Sequence, residues 1–374
     1  MTVLWVMIVI GGLALLQSLY YQIFGTRKVE YKRFFSRESL FAGEHVELIE
    51  VLQNRKFMPL PWLRVEARIS SYLRFNKQEN LDITMERFHR SLFFLRGYRR
   101  VTRRHDIECT HRGFFNLKQT SMTAGDLFGF IQKTSDLYND AVLYVYPRIY
   151  APEELPSAAV HWQGEVAVRR WIMPDPMLVD HIREYRPGDP QKSIHWGATA
   201  RMGELQVKVM GHTVRPKLLV ALNTQAAEEL WGQMTPEQCE GVEKGVSLAA
   251  GLISWGLDNG LDAGFVSNGT LLGDDGPTGE TVYIEPASSQ SHMDHVLKVM
   301  ARLVITRQVN FYTLFDNMLG DGTTGADILV ISNYWSDALE GRAKRLRETG
   351  NTVVYVPMYA VGGERRDDST KAVV

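Results

Sequence analysis

Between Ile182 and Met210 the chain reads IREYRPGDPQKSIHWGATARMGELQVKVM, which gathers Arg183, Glu184, Arg186, Asp189, Lys192, His195 and Arg201 in one short stretch. Glu184, Asp189 and His195 are the residue types of an acid–base set, and an imidazole titrates near neutral pH. The same stretch permits a purely structural network, in which Arg183, Arg186 and Arg201 pair with Glu184 and Asp189 and lock a turn. No nucleophile or oxyanion device accompanies the set, which favours the structural network.

The elements that must hold these residues are written locally. Pro187-Gly188 marks a turn. Asp189 has the side chain of a helix cap, and Pro190 suits a first helical position. The spacing predicts a short helix ending near Arg201, with Gly203 in the left-handed closing conformation. Leu205, Val207 and Val209 then alternate with polar residues or Met210, which predicts a strand with one apolar face.

Other sources of chemistry are thin. No phosphate-binding glycine loop of either common pattern follows a strand. His292 and His295 lie on one predicted helical turn, but no third ligand accompanies them, and a solvated helix start is the simpler reading. Gly273-Asp274-Asp275-Gly276-Pro277 and Gly320-Asp321-Gly322 read as surface turns. Cys109 and Cys239 form no ligand cluster and no disulfide framework.

At 374 residues the chain exceeds one typical domain. Its net charge of -1 hides an asymmetry, because residues 25–150 carry 22 Lys and Arg against 14 Asp and Glu. A basic half close to a membrane fits attraction to anionic lipid, and two differently charged domains is the plainer alternative. Residues 2–24 are uncharged and mostly apolar, long enough to cross a bilayer. A signal peptide would want a basic start and a small-residue cleavage site, whereas this run ends in Tyr20, Tyr21 and Phe24, aromatics suited to an interface. The run is therefore expected to be an uncleaved anchor. Arg27, Lys28, Lys32, Arg33 and Arg37 follow it, so the positive-inside tendency places the soluble body in the cytoplasm of the cell, single-pass.

Residues 27–150 show short alternating runs such as Glu44–Val51, Leu63–Ile69 and Ala141–Tyr146, which predict a β-rich, sandwich-like domain. Arg96, Arg99, Arg100, Arg103 and Arg104 around Tyr98 have the composition of a nucleic-acid patch, but a near-neutral chain with an anchor nearby favours a solvated strand face and no nucleic-acid partner. From Lys217 strands alternate with helices: strand Leu218–Leu222, helix 236–258, strand 263–266, helix 291–306, strand 328–331, helix 336–347 and strand 352–356. That order predicts a doubly wound α/β domain over 217–360, with 151–216 as signature region and linker and 361–374 as a frayed tail.

The runs Arg183-Glu184-Tyr185-Arg186-Pro187-Gly188-Asp189, Ile194-His195-Trp196 and Ala200-Arg201 closely resemble the signature of the domain-of-unknown-function 58 family. Arg112–Phe115, Asp126–Gly129 and Tyr146–Arg148 resemble the region before that signature. The resemblance implies a membrane-anchored bacterial or archaeal protein carrying a von Willebrand factor type A-like domain, with a MoxR-type AAA ATPase as partner in assembling or maturing envelope or other complexes. It implies no established reaction. In von Willebrand type A-like domains an Asp-x-Ser-x-Ser run after the first strand, with a later Asp, holds a metal. Here those places read Asn223, Gln225 and Ala227, then Asn333, so most of the charge a hard divalent ion requires is missing. The expectation is α+β multidomain: a transmembrane helix at 1–26, a β-rich domain, and an α/β domain without metal or cofactor. It acts as a non-enzymatic interaction module, with Arg183, Glu184, Tyr185, Arg186, Pro187, Gly188, Asp189, His195, Trp196 and Arg201 as its structural or partner-binding signature. The alternatives are an enzyme built on Glu184, Asp189 and His195, and a metal-dependent adhesion domain.

Overall fold

The computed structural model describes residues 2–75, 88–139, 141–172, 179–186, 189–210, 216–228, 234–273, 276–305 and 309–358. The chain is mixed α/β and divides into two compact units. The first holds Met1–Arg148 with Leu272–Gly276 and Lys298–Leu303, and the second holds the remainder. The expected Pro187-Gly188 turn and the tail from 361 lie outside the described residues.

The first unit opens with helix α1 (Thr2–Phe24), which is long and apolar enough to cross a membrane. Among the described residues eleven strands follow: β1 (Val29–Phe35), β2 (Ser39–Phe41), β3 (His45–Asn54), β4 (Leu60–Arg68), β5 (Leu73–Phe75), β6 (Phe88–Leu95), β7 (Arg100–Cys109), β8 (Gly113–Asn116), β9 (Gln119–Gly125), β10 (Gln132–Tyr138) and β11 (Val142–Tyr146). They form an antiparallel sheet β1-β3-β7-β5, an antiparallel sheet β10-β9-β4-β6, and a small sheet β2-β11-β8 in which β2 and β11 run parallel. Tyr31 and Leu52 of the first sheet pack on Leu63, Val65, Phe93 and Met122 of the second. Phe35, Leu48 and Ile107 pack instead on Phe115, Leu143 and Val145.

A charged layer separates these two apolar clusters. Arg33 and Glu50 are direct cross-strand partners, with both side chains 0% exposed and Nε–Oε1 at 3.7 Å. Glu50 also accepts from Tyr31 Oη at 2.7 Å and Ser91 Oγ at 3.0 Å, and His105 Nε2 lies 3.1 Å away. Burial, reinforced by the Glu50 charge, pushes the Tyr31 phenol well above its ordinary value. This corrects the sequence reading of Arg33 as one of a juxtamembrane basic group. In a strand, side chains alternate faces, and Tyr31, Arg33 and Phe35 share the inward one.

The last turns of α1 lie against this unit. Ser18, Tyr21 and Gly25 are buried and Ala14, Gln17 and Phe24 half-buried, the one-face spacing of a docked helix. Ser18 Oγ donates to Asp126 Oδ2 at 3.0 Å and Tyr21 Oη donates to the Pro59 carbonyl at 2.7 Å. Lys56 Nζ donates to the carbonyls of Phe24 and Gly25.

The second unit carries helix α2 (Ser157–Ile172), strand β12 (Val179–Glu184), helix α3 (Trp196–Met202), strands β13 (Gln206–Met210) and β14 (Lys217–Leu222), and helix α4 (Pro236–Asp258). The chain continues through β15 (Asp262–Leu272), β16 (Pro277–Ala287), α5 (Gln290–Arg302), β17 (Leu303–Val304), α6 (Phe311–Gly320), β18 (Ala326–Ser332), α7 (Asp337–Glu348) and β19 (Thr352–Pro357). The main sheet runs β16-β15-β14-β18-β19, and β15, β14, β18 and β19 are parallel. Alternation along β14 assigns its faces. Leu219 and Ala221 pack with α6 and α7, whereas Gly256 and Gly245 of α4 approach Leu218 and Leu222 so closely that a Cβ would press on those side chains. Helices thus cover both faces of a near-continuously apolar sheet. Thr235 caps α4 with a reciprocal Gln238 contact, and Pro236 stands at its first position, so this helix starts where its sequence says.

Candidate functional site

The signature stretch folds as a small antiparallel ribbon. Strands β12 and β13 pair Arg183 with Val207 and Glu184 with Gln206, and Ile194 bridges to the other edge of Val207. Arg183 grips Asp189 with two parallel bonds of 2.8 Å, and Asp189 Oδ2 also accepts from the Arg186 amide at 2.8 Å. Bidentate pairing of this kind fixes orientation as well as distance. The Arg183 hydrogen bond first, then the Arg186 amide, hold the Asp189 carboxyl below its usual range. The same contact raises Arg183.

Asp189 therefore does not cap a helix, contrary to the sequence expectation. After it come a single 3₁₀ turn over Gln191–Ser193 and then α3, whose cap is His195. His195 Nδ1 accepts from the Ala198 amide at 3.0 Å, which puts its proton on Nε2. A cap needs only an acceptor two or three residues ahead of an unpaired amide, and both residues qualify by type. The guanidinium of Arg183 takes the carboxylate, leaving the imidazole for the helix. Gly203 closes α3 at φ 76, as its position predicts. Leu205 falls outside β13 and is 45% exposed, while Val207 is buried, so the predicted apolar face is shorter than its sequence pattern.

These positions bear on catalysis. Gln206 pairs with Glu184 on one side, and its carbonyl accepts from the His195 amide on the other. The backbones of Glu184 and His195 are thus two strand spacings apart, about 10 Å. Asp189 is held by Arg183, and His195 by a backbone amide. Exposed on the short helix are Trp196 at 68%, Met202 at 72% and Arg201, and Glu184 and Glu204 are exposed on either side of it in the chain.

The second place of interest is the carboxyl edge of the parallel sheet, where the strand order reverses between β14 and β18. Asn223 follows β14 and is fully buried; its Nδ2 donates to Ser332 Oγ at 2.9 Å. Its Oδ1 accepts from the Gln225 amide at 3.0 Å and from Asn268 Nδ2 at 3.3 Å. Asn268 Oδ1 accepts from the amide and hydroxyl of Thr224. Gln225 Oε1 accepts from the Phe311 amide and the Tyr334 hydroxyl, both at 3.1 Å, while its Nε2 is buried and makes no hydrogen bond among the described residues. Ala227 brings only a methyl group, and Asn333 is half-buried. The edge is a web of neutral dipoles whose oxygens already serve neighbouring donors. Among the described residues no group of three His, Cys, Asp or Glu side chains is arranged to hold a metal.

Sequence reasoning named Asn223 and Gln225 but missed Asn268 and Tyr334. The signal for Asn268 was Ser267-Asn268 following Phe265-Val266, a polar break inside the buried strand β15. His292, considered as a ligand, has its Nε2 2.6 Å from the Ala263 carbonyl. Within the basic run, Arg103 stacks on Phe93 at 4.0 Å and bonds the Leu92 carbonyl, and Arg104 faces Glu47.

The sequence profile of the family described as "Protein of unknown function DUF58" matches residues 181–359. The uncharacterized protein YeaD of Bacillus subtilis (strain 168) is 21% identical over 248 residues, which is 66% of this chain and 58% of YeaD. The chain thus spans less than two thirds of that relative's length. Among solved structures, a CARDB domain from Pyrococcus furiosus aligns with 30% of this chain and 93% of its own at 9% identity and a TM-score of 0.19. A non-cellulosomal cohesin from Archaeoglobus fulgidus aligns with 31% of this chain and 91% of its own at 7% identity and a TM-score of 0.20. Neither score is high enough to bear on fold or function.

Proposed function

We propose that the chain is a non-enzymatic, membrane-anchored interaction module. Its soluble body faces the cytoplasm, and it works with a MoxR-type AAA ATPase in assembling or maturing envelope or other complexes. The observation that carries this reading is the state of the signature ribbon. Asp189 and His195 are engaged in holding the ribbon's own shape, and Trp196 and Arg201 both stand exposed on α3. An aromatic and an arginine on a rigid support are the residues that anchor protein interfaces. The ATPase comes from the family resemblance alone. The strand order of the main sheet and the place of Asn223 support reading that sheet as a von Willebrand factor type A-like domain whose metal position has been replaced by amides. Helix α1 serves as the anchor, and Arg27 and Lys28 after it support the cytoplasmic orientation.

The test is affinity capture of the full chain from native membranes in mild detergent, with bound proteins identified by mass spectrometry and rebinding checked with purified partner. Wild type should retain an AAA ATPase. Trp196→Ala and Arg201→Ala should lose it while keeping the wild-type circular dichroism spectrum. Equal capture by wild type and both variants would refute the ribbon as the docking surface. Protease cleavage of the soluble body from outside intact cells would refute the orientation.

A further inference from the structure

The turn between β9 and β10 presents bare apolar side chains beside the last turns of α1. Leu127, Phe128 and Phe130 are 62%, 56% and 73% exposed, and the two Phe rings lie against each other with centroids 5.9 Å apart. The turn itself is rigid. Asp126 Oδ1 accepts from the Ile131 amide and its carbonyl accepts from Trp62 Nε1, while the Trp62 ring occupies the space a side chain at Gly125 would need. Gly129 adopts φ 76 and turns the chain back. A built turn that exposes three large apolar residues requires a partner for them.

Its attachment to α1 identifies that partner. Asp126 Oδ2 accepts from Ser18 Oγ, and Ser18 precedes Phe24, the end of the helix, by six residues or about 9 Å of rise. A 23-residue helix is about 35 Å long, and a bilayer's hydrocarbon core takes about 30 Å of it. With the aromatics Tyr20, Tyr21 and Phe24 at the interface, the bond to Ser18 is made about one turn inside that boundary. A second exposed aromatic is mounted the same way: Phe57 is 77% exposed between Lys56, which holds the end of α1, and Pro59, which accepts from Tyr21. Exposed Arg27 and Lys28 follow the helix, at the level expected for anionic headgroups.

We infer that the 126–131 turn is a membrane wedge: Leu127, Phe128 and Phe130 enter the headgroup–acyl boundary of the bilayer that α1 crosses, with Phe57 beside them. The inference rests on reading α1 as an anchor. Its consequence is that the β-rich unit sits on the lipid surface in a fixed pose, instead of swinging on a linker after the helix.

The experiment uses the full chain carrying Cys239→Ser, with buried Cys109 left in place. A polarity-sensitive fluorophore is attached at Phe128→Cys, at Phe130→Cys as a second position, and at Tyr138→Cys, which is 80% exposed at the far end of β10. Each protein is reconstituted into phosphatidylethanolamine–phosphatidylglycerol vesicles with acyl chains brominated near the headgroup. The labels at 128 and 130 should shift to the blue and lose emission to the bromines, and the label at 138 should do neither. Emission at 128 and 130 matching that at 138 would overturn the wedge. A blue shift without bromine quenching would also overturn it, because a second copy of the chain then covers the turn. Alkaline carbonate extraction of the same vesicles reads the anchor separately. Resistant protein with unquenched labels sinks the wedge alone, and extractable protein with unquenched labels sinks both. Quenched labels in resistant protein support the wedge, and quenched labels in extractable protein would overturn it as stated, because the turn would then meet lipid without the anchor.

Discussion

The ammonium of Lys56 sits 2.6 Å from the carbonyl oxygen of Phe24, with the Gly25 carbonyl at the same distance, so a strand-loop lysine closes the end of the apolar helix. The last carbonyls of a helix have no partner within it, and a cation there also complements the helix dipole. Burial pushes this ammonium down to about 8. The folded state then binds fewer protons than the unfolded one between pH 8 and the ordinary lysine value near 10.4. The cost of burying the charge is present in full below pH 8 and is relieved as pH rises through that window. Full-length protein in detergent should therefore gain thermal stability from pH 8 to 10 relative to Lys56→Met, which has no such group. At pH 7, Lys56→Met should lose about 1–3 kcal/mol, the cost of stranding buried acceptors. A variant with wild-type melting at pH 7 would show that water already serves those carbonyls.

Glu50 and Arg33 make a different kind of contact, because neither side chain meets water. Removing one member of a buried ion pair leaves the other charged and uncompensated, at about 3–5 kcal/mol. Glu50→Gln should accordingly destabilise the first unit severely, seen as a lower denaturant midpoint. The double variant Arg33→Met, Glu50→Gln should recover much of the loss, since it removes the uncompensated guanidinium while an amide oxygen still accepts from Tyr31 and Ser91. Losses that simply add would mean the two residues do not depend on each other.

Much of this architecture is legible in the residues. Thr235-Pro236 and the apolar spacing from Val242 to Leu257 announce α4, and Leu218–Leu222 announces a buried strand. Both signals are local: a cap, a period, a run. Arg33 was misread because a charge count along the chain ignores which face of a strand each charge occupies. Its inward place follows from the Tyr31-Arg33-Phe35 alternation, and its partner Glu50 lies on a different strand. Asp189 was misassigned as the cap because its residue type suits that role, and a tertiary contact with Arg183 takes its carboxylate instead. Asn268 and Ser332 reach Asn223 from separate strands, and no spacing in the sequence foretells such a meeting.

The Arg183–Asp189 grip has a pH signature of its own. The folded carboxyl lies below its ordinary value, so its stabilisation is complete above the unfolded value near 3.9 and disappears as pH falls through the folded one. Amide exchange at Arg186, whose N–H donates to Asp189, should stay slow at pH 5. Asp189→Asn should speed that exchange at pH 5 while leaving α4 protected. Unchanged exchange in the variant would mean that the ribbon is held from elsewhere.

The amide web at the sheet edge predicts what happens when the missing charge is restored. Asn223 donates to Ser332 Oγ, whose own proton goes to the Tyr334 carbonyl. Asn223→Asp would set a carboxylate oxygen against that hydroxyl oxygen with no proton between them. The new group is fully buried, so burial raises its pKa above the unfolded carboxylate value. Stability should then match wild type most closely below pH 4 and fall as pH rises through the folded value, by about 1–3 kcal/mol at neutrality. Added Mg²⁺ should not restore it, because Gln225 and Ala227 supply no further charge and the Gln225 oxygen already holds Phe311 and Tyr334. Thermal melts of Asn223→Asp with and without Mg²⁺ decide the matter. A melting point rising with Mg²⁺ in the variant alone would mean that one carboxylate suffices to turn the edge into a metal site, and that the neutral web is not what keeps a cation out.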